Sequence, residues 1–236
     1  MQPLSADELT ALWLSAKIAL SCMLVSLPTG IAVAWLLARV RFRGSLLLEV
    51  LVQLPMVLPP VVPGYLLLLL FGKQGPLGRL LAKGFGIEFA FNWKGAVLAS
   101  ATMAFPLMVQ PVRLAFELID QRLEQAAATL GANPWRVFVT VSLPLAVPGI
   151  VAGAILCFSR ALGEFGATMA FVGNIPGETR TVPLAIYSYL HQPGGEAGAA
   201  RLATLSIALA VAALLVSQWL TRRSAHRLGA RHRAEP

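Results

Sequence analysis

The stretch Glu124–Pro144, which reads EQAAATLGANPWRVFVTVSLP, is a polar interruption between two long apolar segments. It opens with an alanine-rich patch, and alanine has the highest helix propensity of all residues. Gly131 suits the left-handed conformation that often ends a helix. Asn133 offers an N-cap for a second helix, and Pro134 suits its first position, where the missing N–H costs nothing. The stretch therefore predicts a helix, a glycine break and a second helix.

The composition of the chain predicts a polytopic membrane protein. The 236 residues are 57% hydrophobic and 13% charged, whereas soluble domains carry roughly 25% charged residues. The net charge of +8 fits basic loops that set topology and contact membrane lipid, and we expect no nucleic-acid partner. Cys22 and Cys157 lie inside apolar runs and the three histidines do not cluster, so we expect no metal site.

Five stretches are long and apolar enough to cross a bilayer, because a hydrocarbon core of about 30 Å needs roughly 20 mostly apolar residues. They are Leu12–Ala38, Leu46–Phe71, Gly95–Ala115, Leu145–Leu162 and Leu202–Leu220. A sixth stretch, Phe165–Leu190, is too polar and too rich in glycine and proline to face lipid, and it could form short or re-entrant helix inside the protein. We predict an all-α fold of five transmembrane helices, with residues 1–10 as an external N-terminus, 11–220 as the membrane domain and 221–236 as a basic tail.

The second predicted span carries four prolines in its first half, at Pro55, Pro59, Pro60 and Pro63. Each proline removes a backbone donor and clashes with the preceding turn. The helix must therefore be kinked or must begin late. A kinked helix could line a pathway through the membrane, and a plain loop-to-helix entry is the alternative.

Basic residues predict the orientation of the chain, because cytoplasmic loops carry an excess of lysine and arginine. The tail TRRSAHRLGARHRAEP gives the strongest indication of a cytoplasmic C-terminus. With five spans the N-terminus then lies outside, and Glu124–Pro144 lies in the cytoplasm. Asp120 can cap its first helix, which carries Leu123, Ala126 and Leu130 on one face. Such an exposed amphipathic helix is predicted to dock a partner, although an ordinary loop lying on the bilayer is the alternative.

The spacing within this loop resembles a known signature. Gln125-Ala126-Ala127, three residues, Gly131, nine residues, Val141, one residue and Leu143-Pro144 are similar to the EAA loop of ABC importer permeases. The resemblance implies a type I ABC importer permease fold, in which residues 117–144 dock a coupling helix on an ATP-binding ABC subunit. It assigns this role to Glu124, Gln125, Ala126, Ala127, Gly131, Leu143 and Pro144. The position of the family's glutamate holds Gln125, and Glu124 stands one residue earlier.

The sequence contains no G-x-x-x-x-G-K-[ST] phosphate cradle, so we expect the chain to hydrolyse no ATP by itself. The resemblance places ATP and Mg on the separate subunit and no cofactor on this chain. It also implies a permease homodimer in the bacterial inner membrane, served by a periplasmic oxyanion-binding protein.

Other segments resemble molybdate permeases of the ModB type, in the same order along the chain. They are Leu54–Tyr65, Arg160–Thr168, Asn174–Pro183 and Pro193–Leu202. The resemblance implies molybdate or tungstate as cargo. Sulfate and thiosulfate permeases share the loop and the Gly-Glu-Phe-Gly segment, so they stay an alternative.

Arg160 and Glu164 lie four residues apart near the outer end of the fourth span, so they share a helix face and can pair. An ionisable residue at membrane depth suggests a functional site; the two residues either line the pathway or fix helix packing. A gradient-driven secondary transporter would need paired broken helices, and the sequence offers one proline-broken span. A membrane enzyme would need clustered His, Asp or Glu at one membrane depth, and the predicted spans contain no such cluster.

Overall fold

The computed structural model describes residues 5–212 and 215. Within these residues every regular element is helical. The bounds are α1 Ala6–Arg39, α2 Ser45–Val57, α3 Val61–Phe71, α4 Pro76–Phe85, α5 Trp93–Glu117, α6 Gln121–Thr129, α7 Pro134–Val137, a π-helical segment Phe138–Ser142, α8 Leu143–Leu162, α9 Gly166–Val172 and α10 Val182–Leu190. Residues 196–212 are also helical.

Three helical stretches in the described part of the chain are each long and apolar enough to cross a membrane. They are Ala6–Arg39, Trp93–Glu117 and the continuous stretch Pro134–Leu162. The pair α2 and α3 passes the same test together, so the described residues hold three spans, or four if the bent pair is one span. The predicted fifth span, Leu202–Leu220, extends outside the described residues, and the count of five stays a prediction.

Helices α1, α5 and α8 form the centre of the bundle, and small residues bring them close together. A Cβ on Gly153 of α8 would lie 2.6 Å from the carbonyl oxygen of Met108 in α5. The Sγ atoms of Cys22 in α1 and Cys157 in α8 lie 3.9 Å apart, and both cysteines are free. Such close approach stabilises helix pairs in lipid. Because lipid is itself apolar, helices associate there through close van der Waals packing and not through the hydrophobic effect.

The second predicted span divides into two helices. The chain bends by 115° between α2 and α3, and the break contains Pro59 and Pro60. Pro55 and Pro63 stay inside α2 and α3. Two adjacent prolines remove successive donors and prevent a continuous helix, so the predicted span is divided into two helices that meet at a sharp bend.

A second break separates α8 from α9, between the predicted end of the fourth span at Leu162 and the start of the stretch Phe165–Leu190. Gly163 ends α8, and Glu164 and Phe165 connect it to Gly166, the first residue of α9. The break contains no proline. The stretch Phe165–Leu190 accordingly forms two short helices, α9 and α10.

The structure describes the start of α1 but not the basic tail of the chain. Helix α1 begins at Ala6 because Ser5 and Glu8 form a reciprocal capping box, so residues 6–10 of the predicted external N-terminus are helical. Residues 1–4 and the predicted tail 221–236 lie outside the described residues.

Candidate functional site

The first half of the loop at residues 117–144 is the helix that the sequence predicted. Asp120 caps α6 by accepting a hydrogen bond of 2.9 Å from the Arg122 N–H. At the other end Gly131 has a φ of +87°, a conformation that glycine adopts without steric cost. The Ala132 N–H then donates to the Ala127 carbonyl at 3.1 Å, which satisfies a carbonyl at the helix end.

The second half of the loop continues into a membrane span. Asn133 caps α7 by accepting a hydrogen bond of 2.8 Å from the Arg136 N–H, with Pro134 in the first turn. The π-helical segment follows, and Leu143 and Pro144 form the first turn of α8. The stretch Pro134–Leu162 is therefore one helical path from the loop into the bundle.

Large apolar side chains stand out from the loop. Leu130 is 89% exposed and Trp135 is 72% exposed, and Leu123 and Ala126 are exposed as well. We call these four residues the docking face. Apolar side chains that protrude from a polar loop are expected at a protein interface.

Glu124 and Gln125, both predicted to couple to a partner, have different surroundings. The Glu124 carboxylate turns toward its own chain, where Oε1 accepts a hydrogen bond of 2.6 Å from Ser142 Oγ and lies 3.2 Å from Nη2 of Arg39. The same Nη2 donates to the Ile119 carbonyl at 3.1 Å. Gln125 is exposed. Sequence spacing could not find Arg39 as a partner, because it lies on another helix.

An aromatic cluster lies beside these polar contacts. The Phe138 ring lies 5.6 Å from the Trp35 ring, 5.6 Å from the Trp135 ring and 6.2 Å from the Phe116 ring, measured between centroids. Trp35 belongs to α1 and Phe116 to α5. Phe138 and Glu124 also line an open groove of about 420 Å³ between α1 and the loop. The loop is thus packed against the bundle on one side and exposed on the other.

Arg160 and Glu164 lie at the end of the bundle opposite the loop. Nη1 of Arg160 lies 2.6 Å from Oε2 of Glu164, whose other oxygen accepts a hydrogen bond of 2.9 Å from the Ala167 N–H. The Glu164 side chain is 1% exposed and the Arg160 side chain 30%. The carboxylate therefore connects the end of α8 to the first turn of α9.

The same end carries a second polar network. Nη2 of Arg201 lies 2.9 Å from Oε1 of Glu8, and the Val182 N–H donates to Ser15 Oγ at 2.7 Å. These contacts hold the helix at residues 196–212 and α10 against the start of α1. Over the described residues no three His, Cys, Asp or Glu side chains come together as metal ligands would.

Solved structures of ABC importers share this fold. A structure of a bacterial transporter that imports the acidic polysaccharide alginate has a TM-score of 0.74 and matches 93% of this chain and 80% of its own. The inward-facing MetNI methionine transporter has a TM-score of 0.69, with 94% and 99% covered. Sequence identity is 17% in both, so these similarities show the fold alone, which is that of type I ABC importer permeases.

The chain belongs to the family of binding-protein-dependent transport system inner membrane components, which it matches over residues 26–228. It is therefore a multi-pass inner-membrane permease subunit and not itself an enzyme.

Three curated relatives of this chain are permeases for molybdenum or for sulfate. The molybdenum transport system permease protein ModB of Escherichia coli K12 is 57% identical over 226 residues, which is 96% of this chain and 99% of the relative. ModB of Haemophilus influenzae is 54% identical over 222 residues, or 94% and 97%. The sulfate permease CysT of Escherichia coli K12 is 41% identical over 163 residues, or 69% and 58%.

Proposed function

We propose that this chain is the permease subunit of an ATP-driven importer that carries molybdate or tungstate across the bacterial inner membrane. The observation that carries the cargo assignment is the near full-length similarity to two molybdenum permeases. The observation that supports the coupling role is the docking face, which protrudes from a loop that runs directly into α8.

The docking face is the site for a separate ATP-binding subunit, which holds ATP and Mg. Leu130 and Trp135 supply exposed apolar anchors there, and a few such residues carry most of the affinity of an interface. Gln125 lies in the same exposed helix. Ala126 contributes a short side chain that allows close approach. Two permease chains enclose one pathway, and a periplasmic oxyanion-binding protein delivers the cargo at the opposite end.

The loop lies in the cytoplasm and the N-terminus outside. One feature supports this orientation. Arg39 and Arg136 lie at the loop end of the bundle, in agreement with the positive-inside rule. The basic tail at residues 221–236 is then cytoplasmic as well.

Transport follows from movement of the loop. ATP binding closes the two ATP-binding subunits and draws the two docking faces together, and the continuous helix Pro134–Leu162 carries this displacement into the membrane. Glu164 fixes helix packing, since it is buried and caps α9. Arg160 is partly exposed and its charge is balanced by Glu164 at 2.6 Å; lining the pathway of the anionic cargo is its alternative role.

Uptake of radiolabelled molybdate by proteoliposomes tests the assignment. The permease is reconstituted with its ATP-binding subunit and binding protein, and we expect uptake only with ATP inside. Equal displacement of molybdate by sulfate would instead support a sulfate permease, the alternative that the similarity to CysT favours. Uptake that persists without the ATP-binding subunit would identify a secondary transporter.

A further inference from the structure

Helix α1 does not directly precede or follow the coupling loop, residues 117–144, along the chain. The loop directly continues α5 on one side and α8 on the other. Arg39 is the last residue of α1. Its side chain donates a hydrogen bond to the carbonyl of Ile119, which lies 80 positions further along the chain. A displacement of the loop therefore reaches α5 and α8 through the backbone, but reaches α1 only through side-chain contacts.

One carboxylate oxygen joins these elements. Oε1 of Glu124, on α6, contacts both Nη2 of Arg39 and Oγ of Ser142, which immediately precedes α8. The Arg39 and Glu124 side chains are only 10% and 19% exposed. Separating two largely buried charges leaves each without compensation, so the contact resists extension and the two residues tend to move together.

We infer that Glu124 is a positioning residue that, through Arg39, makes the cytoplasmic end of α1 move with the coupling loop. This inference rests on the proposed function. It assigns Glu124 to transmission within the permease, whereas Leu130 and Trp135 bind the ATP-binding subunit. Because the carboxylate faces inward, its loss is expected to uncouple transport from ATP hydrolysis without releasing that subunit.

The polar contact is not the sole attachment between α1 and the loop. Trp35 of α1 packs on Phe138, and that contact contains no charged group. Variants that lose the Arg39–Glu124 pair therefore keep an apolar contact at the same place, and we expect them to insert and assemble.

The test measures molybdate molecules imported per ATP hydrolysed by the reconstituted complex. Arg39→Gln and Glu124→Gln are each expected to retain the ATP-binding subunit and ATP hydrolysis while the ratio falls about 2- to 30-fold, the range typical of residues that carry coupling. The double variant is expected to fall no further than the worse single variant, because the two residues act as one unit.

Glu49→Gln is the matched control. It removes an ion pair of 2.8 Å between Glu49 in α2 and Arg113 in α5. Arg113 keeps its other ion pair, with Glu117 at the start of the loop, so the ratio should stay unchanged. If a charge variant fails to assemble, Ser142→Ala removes one donor to Glu124 and should lower the ratio in the same direction.

Three results would overturn the inference: an unchanged ratio in both single variants, additive losses in the double variant, or loss of the ATP-binding subunit from Glu124→Gln. The docking assignment fails separately. It is wrong if the ATP-binding subunit stays bound to a permease carrying Leu130→Asp and Trp135→Ala.

Discussion

Gly166, the first residue of α9, lies directly against Pro60 at the break between α2 and α3. A Cβ on Gly166 would lie 2.7 Å from the Cβ of Pro60. One turn further along, a Cβ on Gly64 would lie 2.5 Å from the Ala167 carbonyl oxygen. The two breaks in the helical bundle are therefore packed on each other through glycines.

This contact predicts that a side chain at Gly64 separates α3 from α9. Gly64→Val should lower the free energy of unfolding by about 1–3 kcal/mol, the usual cost of overpacking, because the contacted atom is backbone and cannot rotate away. Thermal unfolding in detergent measures the change. Gly163→Ala is the control, since its Cβ would contact one atom at 4.0 Å; equal losses in the two variants would contradict the packing argument.

Two substitutions of Glu164, whose carboxylate is buried at the end of α8, are predicted to destabilise the protein by different amounts. Glu164→Gln keeps an oxygen that can accept the Ala167 N–H but loses the ion pair to Arg160. Glu164→Ala loses both contacts. We expect Glu164→Ala to lower the free energy of unfolding by about 1 kcal/mol more than Glu164→Gln, the net value of a hydrogen bond. Denaturation of both variants checks the order, and the reverse order would exclude the capping role.

The positive φ of Gly131 predicts strain without a clash. An added Cβ would meet no atom within 4 Å, so only the left-handed backbone opposes a side chain. Gly131→Val should destabilise the loop by about 1–2 kcal/mol, and Gly131→Asn by less, because asparagine tolerates this region. Molybdate uptake at equal membrane content measures the effect, with Gly84→Ala in α4 as the control. Full uptake by Gly131→Val would show that the loop needs no turn of this shape.

The same position allows a stronger test with a charge. Gly131→Asp adds a carboxylate beside the docking face as well as backbone strain. Insertion should be normal, since the position is exposed, while uptake and binding of the ATP-binding subunit fall together. If both survive, the loop is not the coupling element.

The docking face predicts a loss of affinity that leaves the fold intact. Trp135→Ala is expected to weaken binding of the ATP-binding subunit by about 2 kcal/mol or more, as for aromatic anchors at other interfaces. Leu130→Met should change it little, because the side chain stays apolar and similar in size. Co-purification at increasing salt and detergent concentrations measures how much ATP-binding subunit each variant retains. Equal retention by the two variants would show that the interface lies elsewhere.

Much of the coupling loop could be predicted from the sequence because its structure is local. The cap at Asp120, the left-handed turn at Gly131 and the cap at Asn133 each depend on residues within a few positions of one another. The π-helical segment at Phe138–Ser142 was not predicted, since its residues carry no distinguishing propensity. The centres of the spans followed from apolar length, although α1 and α5 extend beyond the predicted limits at both ends.

The sequence by itself determined the membrane class, the helix–glycine–helix loop and the resemblance to importer permeases, because composition and short spacing encode each of them. Only the tertiary structure decided that Glu124 turns inward to Arg39, and that the break after Gly163 packs on the break at Pro60. These contacts join residues 85 and 106 positions apart. Charge and residue type show that such residues need partners, but the packing of α1, α5 and α8 determines which partners they reach.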